Sequence, residues 1–409
     1  MTPRWLAVAF ACVLAVSAPA AQPAPPADPI LILVSFDGWR WDYTTNEPAP
    51  NLRAFAAHGV RATELIPSFP SFTFPNHYTI VTGLYPGHHG IIANVIADPG
   101  FPERFTMSAQ TSHDARWWGG EPIWVTAIRQ GRRAAAMYWP GDEAPIGGVR
   151  PTYWRPFDTN VTATARVQQV LDWLALPPEQ RPSFVALYLE DADHAGHDFG
   201  PGSQQLRTAV SHLDMALQQL LDGVKRGGLA DRTTVVVVSD HGMAASSEQR
   251  LIFLDDYIDL DTVDLIESGE FLQVAPVSGT VDTLYRSLRG KVPHLTVYRR
   301  EQIPARFHYR DNPRVGPVVA LVDEGWILTS HRADAKRKPD AKQRNGSHGY
   351  DPALRSMHGL FAAAGPDIRE GVIVQPFQNI HIYDFMCRVL NLKPAPNDGD
   401  PAMTNGFFR

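Results

Sequence analysis

Six carboxylate and imidazole side chains stand where a fold could bring them together. Asp193 and His197 are four residues apart, a spacing that puts both on one side of a helical turn. Asp240 and His241 are adjacent at the end of the strand-like run Thr233 to Ser239. Asp37 closes a second apolar run, Ile30 to Phe36, and His358 lies in Ser356-Met357-His358-Gly359. Carboxylate and imidazole are ordinary Zn2+ ligands. One Asp–His pair alone would read as an ion pair or a capping Asp. Two such pairs together with Asp37 and His358, all near strand ends, are hard to explain by packing. His348 is the rival to His358 and reads as a residue that orients a ligand. His77 and His194 read as packing or surface residues, and His88 and His89 as loop residues.

The chain also offers a nucleophile. In Pro70-Ser71-Phe72-Thr73-Phe74-Pro75-Asn76-His77-Tyr78 a Thr sits between aromatic residues. A helix-compatible run, Asn76 to Gly83, follows. Thr73 is therefore expected at or near a helix start, where unsatisfied N–H groups and the helix dipole favour an anion. A lone Thr there is ordinarily an N-cap. Beside metal ligands it becomes a hydroxyl placed to attack a negatively charged phosphorus.

The elements that must position these groups alternate along the chain. Ile30 to Phe36, Ala134 to Trp139, Phe184 to Leu189 and Thr233 to Ser239 are continuous apolar runs, as buried parallel strands require. Between them, Val161 to Leu174 is helical by spacing. Leu206, Val210, Leu213, Leu217, Leu220 and Val224 mark one face of a long amphipathic helix. The pattern predicts an α/β fold with a mostly parallel central sheet and helices on both faces. Asp37, Asp193 and Asp240 then fall at the carboxyl edge of the sheet, where open α/β sheets bind ligands. The section 251–330 breaks the pattern with short β-type runs and reads as an inserted α+β cap. Ile380 to Leu392 reads as a closing helix.

Composition sets outer bounds. The 409 residues are 44% hydrophobic and 20% charged, enough for a large core. A net charge of -6 without a long basic run excludes a nucleic-acid groove or a polybasic membrane patch. Arg4 precedes the apolar run Trp5 to Val16, and Ala18-Pro19-Ala20 offers a cleavage site. Residues 1–21 therefore read as a secretory signal peptide, leaving no membrane span, and 22–409 as one catalytic domain. Only Cys12 and Cys387 are present, so no internal disulfide can form after cleavage. A secreted chain of this size without disulfides points to a bacterial periplasm.

Thr73-Phe74-Pro75-Asn76-His77-Tyr78-Thr79, Thr82-Gly83-Leu84-Tyr85-Pro86 and His89-Gly90-Ile91-Ile92-Ala93-Asn94 resemble the nucleotide pyrophosphatase/phosphodiesterase family of the alkaline phosphatase superfamily, as a bacterial-type member. The resemblance runs from Asp37 to Pro394-Ala395-Pro396-Asn397. It departs at Ser71-Phe72, where many relatives carry a Lys before the Thr. It implies an alkaline-phosphatase-like fold and two Zn2+ per chain. Asp193, His197 and His358 would hold one zinc; Asp37, Asp240, His241 and Thr73 would hold the other. It further implies attack by Thr73 through a phospho-threonine intermediate. Asn94 and the Phe74 N–H would donate to the phosphoryl oxygens, with Phe74 and Tyr188 about a nucleobase. Trp154 and Phe157 would border that slot. The expected substrate is a small nucleotide or phosphodiester, cut to a nucleoside 5'-monophosphate. The alternatives are a choline-type lipid-headgroup phosphodiesterase and a non-catalytic zinc-binding protein.

Overall fold

The computed structural model describes residue 2 and residues 28–338 and 343–409. The segment read as a signal peptide lies outside the described residues, apart from Thr2. The fold is α/β, built on a large and mostly parallel sheet. Its eight strands lie in the order Val372–Val374, Val60–Ala62, Phe361–Ala364, Thr233–Val238, Ile30–Phe36, Phe184–Leu189, Ala134–Met137 and Tyr153–Trp154. Only Phe361–Ala364 runs against its neighbours.

The central strands are buried on both faces, which is why they read as unbroken apolar runs. Alternate residues of Ile30–Phe36 enter different cores. Ile30, Ile32 and Val34 pack with the helices Ala163–Leu174 and Gln204–Arg226 on one face. Leu31 and Leu33 join the other core, with Thr73–Thr82 and Ile382–Val389. Gln204–Arg226 carries the apolar stripe predicted from Leu206 to Val224, and Ser203 caps its start. The second apolar strand stops at Met137, short of Trp139, because Tyr138 turns to φ 71. The closing helix is shorter than its apolar pattern, running only over Ile382–Val389.

Within 251–330 a second, antiparallel sheet forms, in the order Val263–Glu267, Phe271–Pro276, Val318–Val322, Leu295–Arg299. The helix Val281–Leu288 closes one face of it through Leu284, Tyr285 and Leu288. Phe271, Val319 and Leu321 on the other face enter the main core. Phe69 is the joint: its ring stacks on Phe307 at 4.1 Å and meets Phe271 at 5.3 Å and Tyr309 at 5.0 Å. This sheet is thus packed against the segment that leads into Thr73. No helix of the described residues is long and apolar enough to cross a membrane.

Candidate active site

Three carboxylates meet at the carboxyl edge of the central sheet. Asp37 follows the strand Ile30–Phe36, and Asp240 lies just past Thr233–Val238. Asp193 sits in the first turn of the helix Asp191–Phe199, which follows Phe184–Leu189. Gly38 lets them approach. Its φ is +66, and a Cβ there would lie 2.8 Å from the Asp193 Cα, so both the conformation and the space require glycine.

One oxygen on each carboxylate is buried without a hydrogen-bond partner among the described residues: Asp37 Oδ1, Asp193 Oδ1 and Asp240 Oδ2. Burying three such oxygens without a hydrogen bond is costly unless a cation joins them. The electrostatics say the same. Burial, with Asp240 and Asp193 nearby, pushes the Asp37 carboxyl well above the usual range.

The imidazoles are oriented by backbone carbonyls. The Nδ1 atoms of His197, His241 and His348 each face a carbonyl at 2.9 Å, those of Gly346, Gly242 and Ser71 respectively. An N–H donated there fixes the tautomer and leaves Nε2 with its lone pair toward the carboxylates. His197 Nε2 is 3.4 Å and His348 Nε2 3.5 Å from Asp193 Oδ1. His241 Nε2 is 2.9 Å from Asp240 Oδ2 and 3.4 Å from Asp37 Oδ1. The donor atoms fall into the groups Asp193-His197-His348, Asp37-Asp193-His241 and Asp37-His77-Asp240, each close enough to share one ion. Oxygen and imidazole donors in this number suit Zn2+.

His358, expected as a ligand, stands apart from these groups. Its Nδ1 is 2.5 Å from Glu64 Oε2 and its Nε2 is 3.0 Å from the Pro352 carbonyl oxygen. Glu64, itself paired with Arg355, draws the ring away from the cluster. His348 takes the place beside Asp193 and His197, and its ring stacks on His241 at 3.5 Å.

Thr73 opens the helix Thr73–Thr82, with Phe72 as N-cap. Its hydroxyl lies 3.2 Å from His241 Nε2. One turn on, His77 is fully buried. Its Nε2 is 2.7 Å from Ser35 Oγ, and its Nδ1 is 2.9 Å from the Thr73 carbonyl oxygen and 3.3 Å from Asp240 Oδ2. The four-residue spacing from Thr73 was the one sequence signal for it. Asn94 lies beside this turn: its Oδ1 accepts the Phe74 N–H at 3.3 Å, which leaves the amide nitrogen free to donate.

A cavity of about 400 Å³ opens from Thr73 and Asp37. Phe74, Phe157 and Tyr188 line it. Phe157 is half-exposed, whereas Tyr188 is buried. The Tyr188 hydroxyl donates to Asp37 Oδ2 at 2.6 Å, and its ring sits edge-on to His77. Trp154 lies in the edge strand and not on the cavity wall. The cavity carries no Lys or Arg among its described lining residues, but Asp142, Glu143 and Glu190 are there.

Such a fold and such a carboxylate–imidazole cluster beside a helix-start hydroxyl define a metal-dependent hydrolase of phosphate esters. Residues 31–351 match the model of the type I phosphodiesterase / nucleotide pyrophosphatase family. Human ectonucleotide pyrophosphatase/phosphodiesterase family member 5 is 34% identical over 400 residues, covering 98% of this chain and 82% of that protein. A venom phosphodiesterase of Crotalus durissus collilineatus is 37% identical over 391 residues, 93% of this chain but only 46% of its own length. Murine ectonucleotide pyrophosphatase/phosphodiesterase 5, solved as an inactive variant with AMP, superposes with a TM-score of 0.87 at 36% identity, over 93% of this chain and all of that one. The chain belongs to the type I phosphodiesterase / nucleotide pyrophosphatase family, hydrolases of phosphodiester and pyrophosphate bonds.

Proposed function

We propose that this protein is a zinc-dependent nucleotide phosphodiesterase and pyrophosphatase that releases nucleoside 5'-monophosphates through a phospho-threonine intermediate. The observation that carries the reading is the Thr73 hydroxyl at the helix start, 3.2 Å from an imidazole of a cluster with three buried carboxylate oxygens that lack a hydrogen bond. Asp193, His197 and His348 would hold one zinc, and Asp37, Asp240, His241 and Thr73 the other, with His348 replacing His358. Zinc bound there supplies Lewis-acid charge that favours the Thr73 alkoxide and the departing oxygen.

The chain's own residues do the rest. Thr73 gives up its hydroxyl proton to solvent and Oγ attacks phosphorus: the Oγ–P bond forms, the bond to the leaving oxygen breaks, and that oxygen takes up a proton from solvent. Water then cleaves the phospho-threonine and restores the hydroxyl. His77 fixes the carbonyl of Thr73, so the first turn is rigid when the hydroxyl reacts. Asn94 donates its amide N–H to a phosphoryl oxygen as charge builds. The Phe74 N–H, donated to Asn94 Oδ1, orients that amide toward the phosphoryl group. Phe74 and Phe157 wall the slot for the base, with Tyr188 as its floor. The murine relative's AMP complex supports a nucleotide in this place. We also propose that the chain is exported to a periplasm; its single described cysteine, Cys387, is buried and free. The test is a panel of a nucleoside triphosphate, a dinucleotide, a lysophospholipid and a simple monoester. Nucleotides should lead, and a preference for lysophospholipid would overturn the assignment.

A further inference from the structure

The loop that carries Asn94 is held on both sides by residues of 251–330, one in the second sheet and one in the connection between its strands Leu295–Arg299 and Val318–Val322. On one side the Tyr309 hydroxyl donates to the Ile92 carbonyl oxygen at 2.8 Å. On the other, the Val95 N–H donates to Glu267 Oε2 at 3.1 Å. Just beyond, Arg104 pairs with Asp264 and donates through Nη1 to the Leu265 carbonyl oxygen at 2.9 Å. Arg104 belongs to the short ribbon that pairs Ile96–Ala97 with Arg104–Phe105. Two contacts from 251–330 thus flank Asn94 directly, and Arg104 ties the ribbon that follows to the same strand.

Glu267 is aimed there by an irregularity. The ladder between Val263–Glu267 and Phe271–Pro276 shifts register between Leu265 and Glu267. Such a bulge redirects the side chain that follows it. The second carboxylate oxygen, Oε1, accepts the Ser268 N–H at 3.2 Å, so the group is fixed at both ends. Tyr309 is 1% exposed and its ring is locked against Phe69, so its hydroxyl has one direction to point.

We propose that Glu267 and Tyr309 are positioning residues for Asn94: by gripping Ile92 and Val95 they hold the Asn94 amide against the Thr73–Phe74 turn. The segment 251–330 then has a part in the reaction without touching substrate. This rests on the reading of Asn94 as the phosphoryl-oxygen donor. Donors that stabilise a transition state must be set before the charge develops, and a shift of about 1 Å is costly.

The test is a set of double-mutant cycles on a nucleotide diester. Glu267→Ala, Glu267→Gln and Tyr309→Phe are each made alone and with Asn94→Ala, with melting temperature and metal content measured beside kcat and KM. Asn94→Ala alone should lower kcat by about 10²-fold or more. Glu267→Ala should lower kcat roughly tenfold with KM changed by less than about twofold. Glu267→Gln keeps an oxygen to accept the Val95 N–H and should retain most of the rate. Tyr309→Phe keeps the ring and loses only the donor, so it remains informative if Glu267→Ala folds poorly. In the Asn94→Ala background neither Glu267→Ala nor Tyr309→Phe should slow the enzyme further, because each acts through Asn94. Losses of the same size in both backgrounds would overturn the proposal, as would native kcat in both single variants while Asn94→Ala is slow. Native kcat in Asn94→Ala would overturn the role of Asn94 itself, and this proposal with it.

Discussion

The hydroxyl of Thr73 lies 3.2 Å from Nε2 of His241, the ring whose other nitrogen faces the Gly242 carbonyl at 2.9 Å. Nucleophile and imidazole therefore share one point in space, although 168 residues separate them. A Thr hydroxyl at neutral pH is a weak nucleophile and needs an activator in contact with it. Thr73→Ala should keep the fold and the metals and lose about three or more powers of ten in kcat. Thr73→Ser should keep part of the rate, since a hydroxyl remains. Near-native turnover in Thr73→Ala would replace the covalent route with direct attack by water. Trapping labelled phosphate on Thr73 in a quenched reaction is the complementary measurement.

The ligand assignment is tested by metal content. The wild-type chain should hold two zinc ions, lose activity on chelation and regain it with zinc. His348→Ala should lose one of the two, whereas His358→Ala should retain both, since the His358 nitrogens face Glu64 and Pro352. Asp240→Asn should lower metal content and rate together, because a charged ligand is removed. Retention of two ions by His348→Ala with loss of one by His358→Ala would return the site to the order first read from the sequence.

That exchange shows where sequence reading stops. The strands Ile30–Phe36, Phe184–Leu189 and Thr233–Val238 were legible because burial on both faces leaves an unbroken apolar run. Asp37 and Asp240 were legible with them, as carboxylates at the ends of such runs. Val60–Ala62 and Val372–Val374 were not, being strands of only three residues with mixed exposure, the second at the sheet edge. The choice between His348 and His358 depends on Glu64, 294 residues from His358, and on the Ser71 carbonyl, 277 residues from His348. No local spacing encodes either contact. Tyr188 in an apolar strand gave no sign that its hydroxyl would reach Asp37.

His89 makes acid stability a measurable property of the fold. Its Nδ1 accepts the Ile91 N–H at 3.1 Å, so the neutral ring carries its proton on Nε2, 3.0 Å from Thr79 Oγ1. Burial, with His88 and Arg314 adding to it, pushes its pKa from the ordinary 6.5 down to about 3. Between those values the unfolded chain binds a proton that the folded chain refuses. Stability therefore falls as pH falls from 6.5 toward 3, by up to about 1.4 kcal/mol for each pH unit from this residue. His89→Gln removes the titration and should flatten the fall in denaturation free energy between pH 7 and pH 5, measured by urea unfolding of the metal-free chain. Equal slopes in variant and wild type would show that His89 is not a source of acid sensitivity.

The cavity beside Thr73 decides what is cleaved. It has no Lys or Arg among its described lining residues, and it carries Asp142, Glu143 and Glu190. A monoester brings two negative charges, and its third oxygen would meet no Lys or Arg among the described lining residues, where Glu143 and Glu190 already occupy His113 and Arg166. A diester brings one charge and offers a flat organic group to Phe74 and Phe157. We therefore expect kcat/KM for a nucleotide diester to exceed that for the matching monoester by several powers of ten, each tenfold step being about 1.4 kcal/mol of transition-state preference. Stacking a base on an aromatic ring contributes about 1–3 kcal/mol. Phe157→Ala should accordingly lower kcat/KM for nucleotides by roughly tenfold or more while sparing a small aryl diester that has no base. Tyr188→Ala should slow both substrates, because it also strips the hydrogen bond from Asp37. Equal rates on monoester and diester would reject the charge argument, and equal losses on nucleotide and aryl diester in Phe157→Ala would reject the slot.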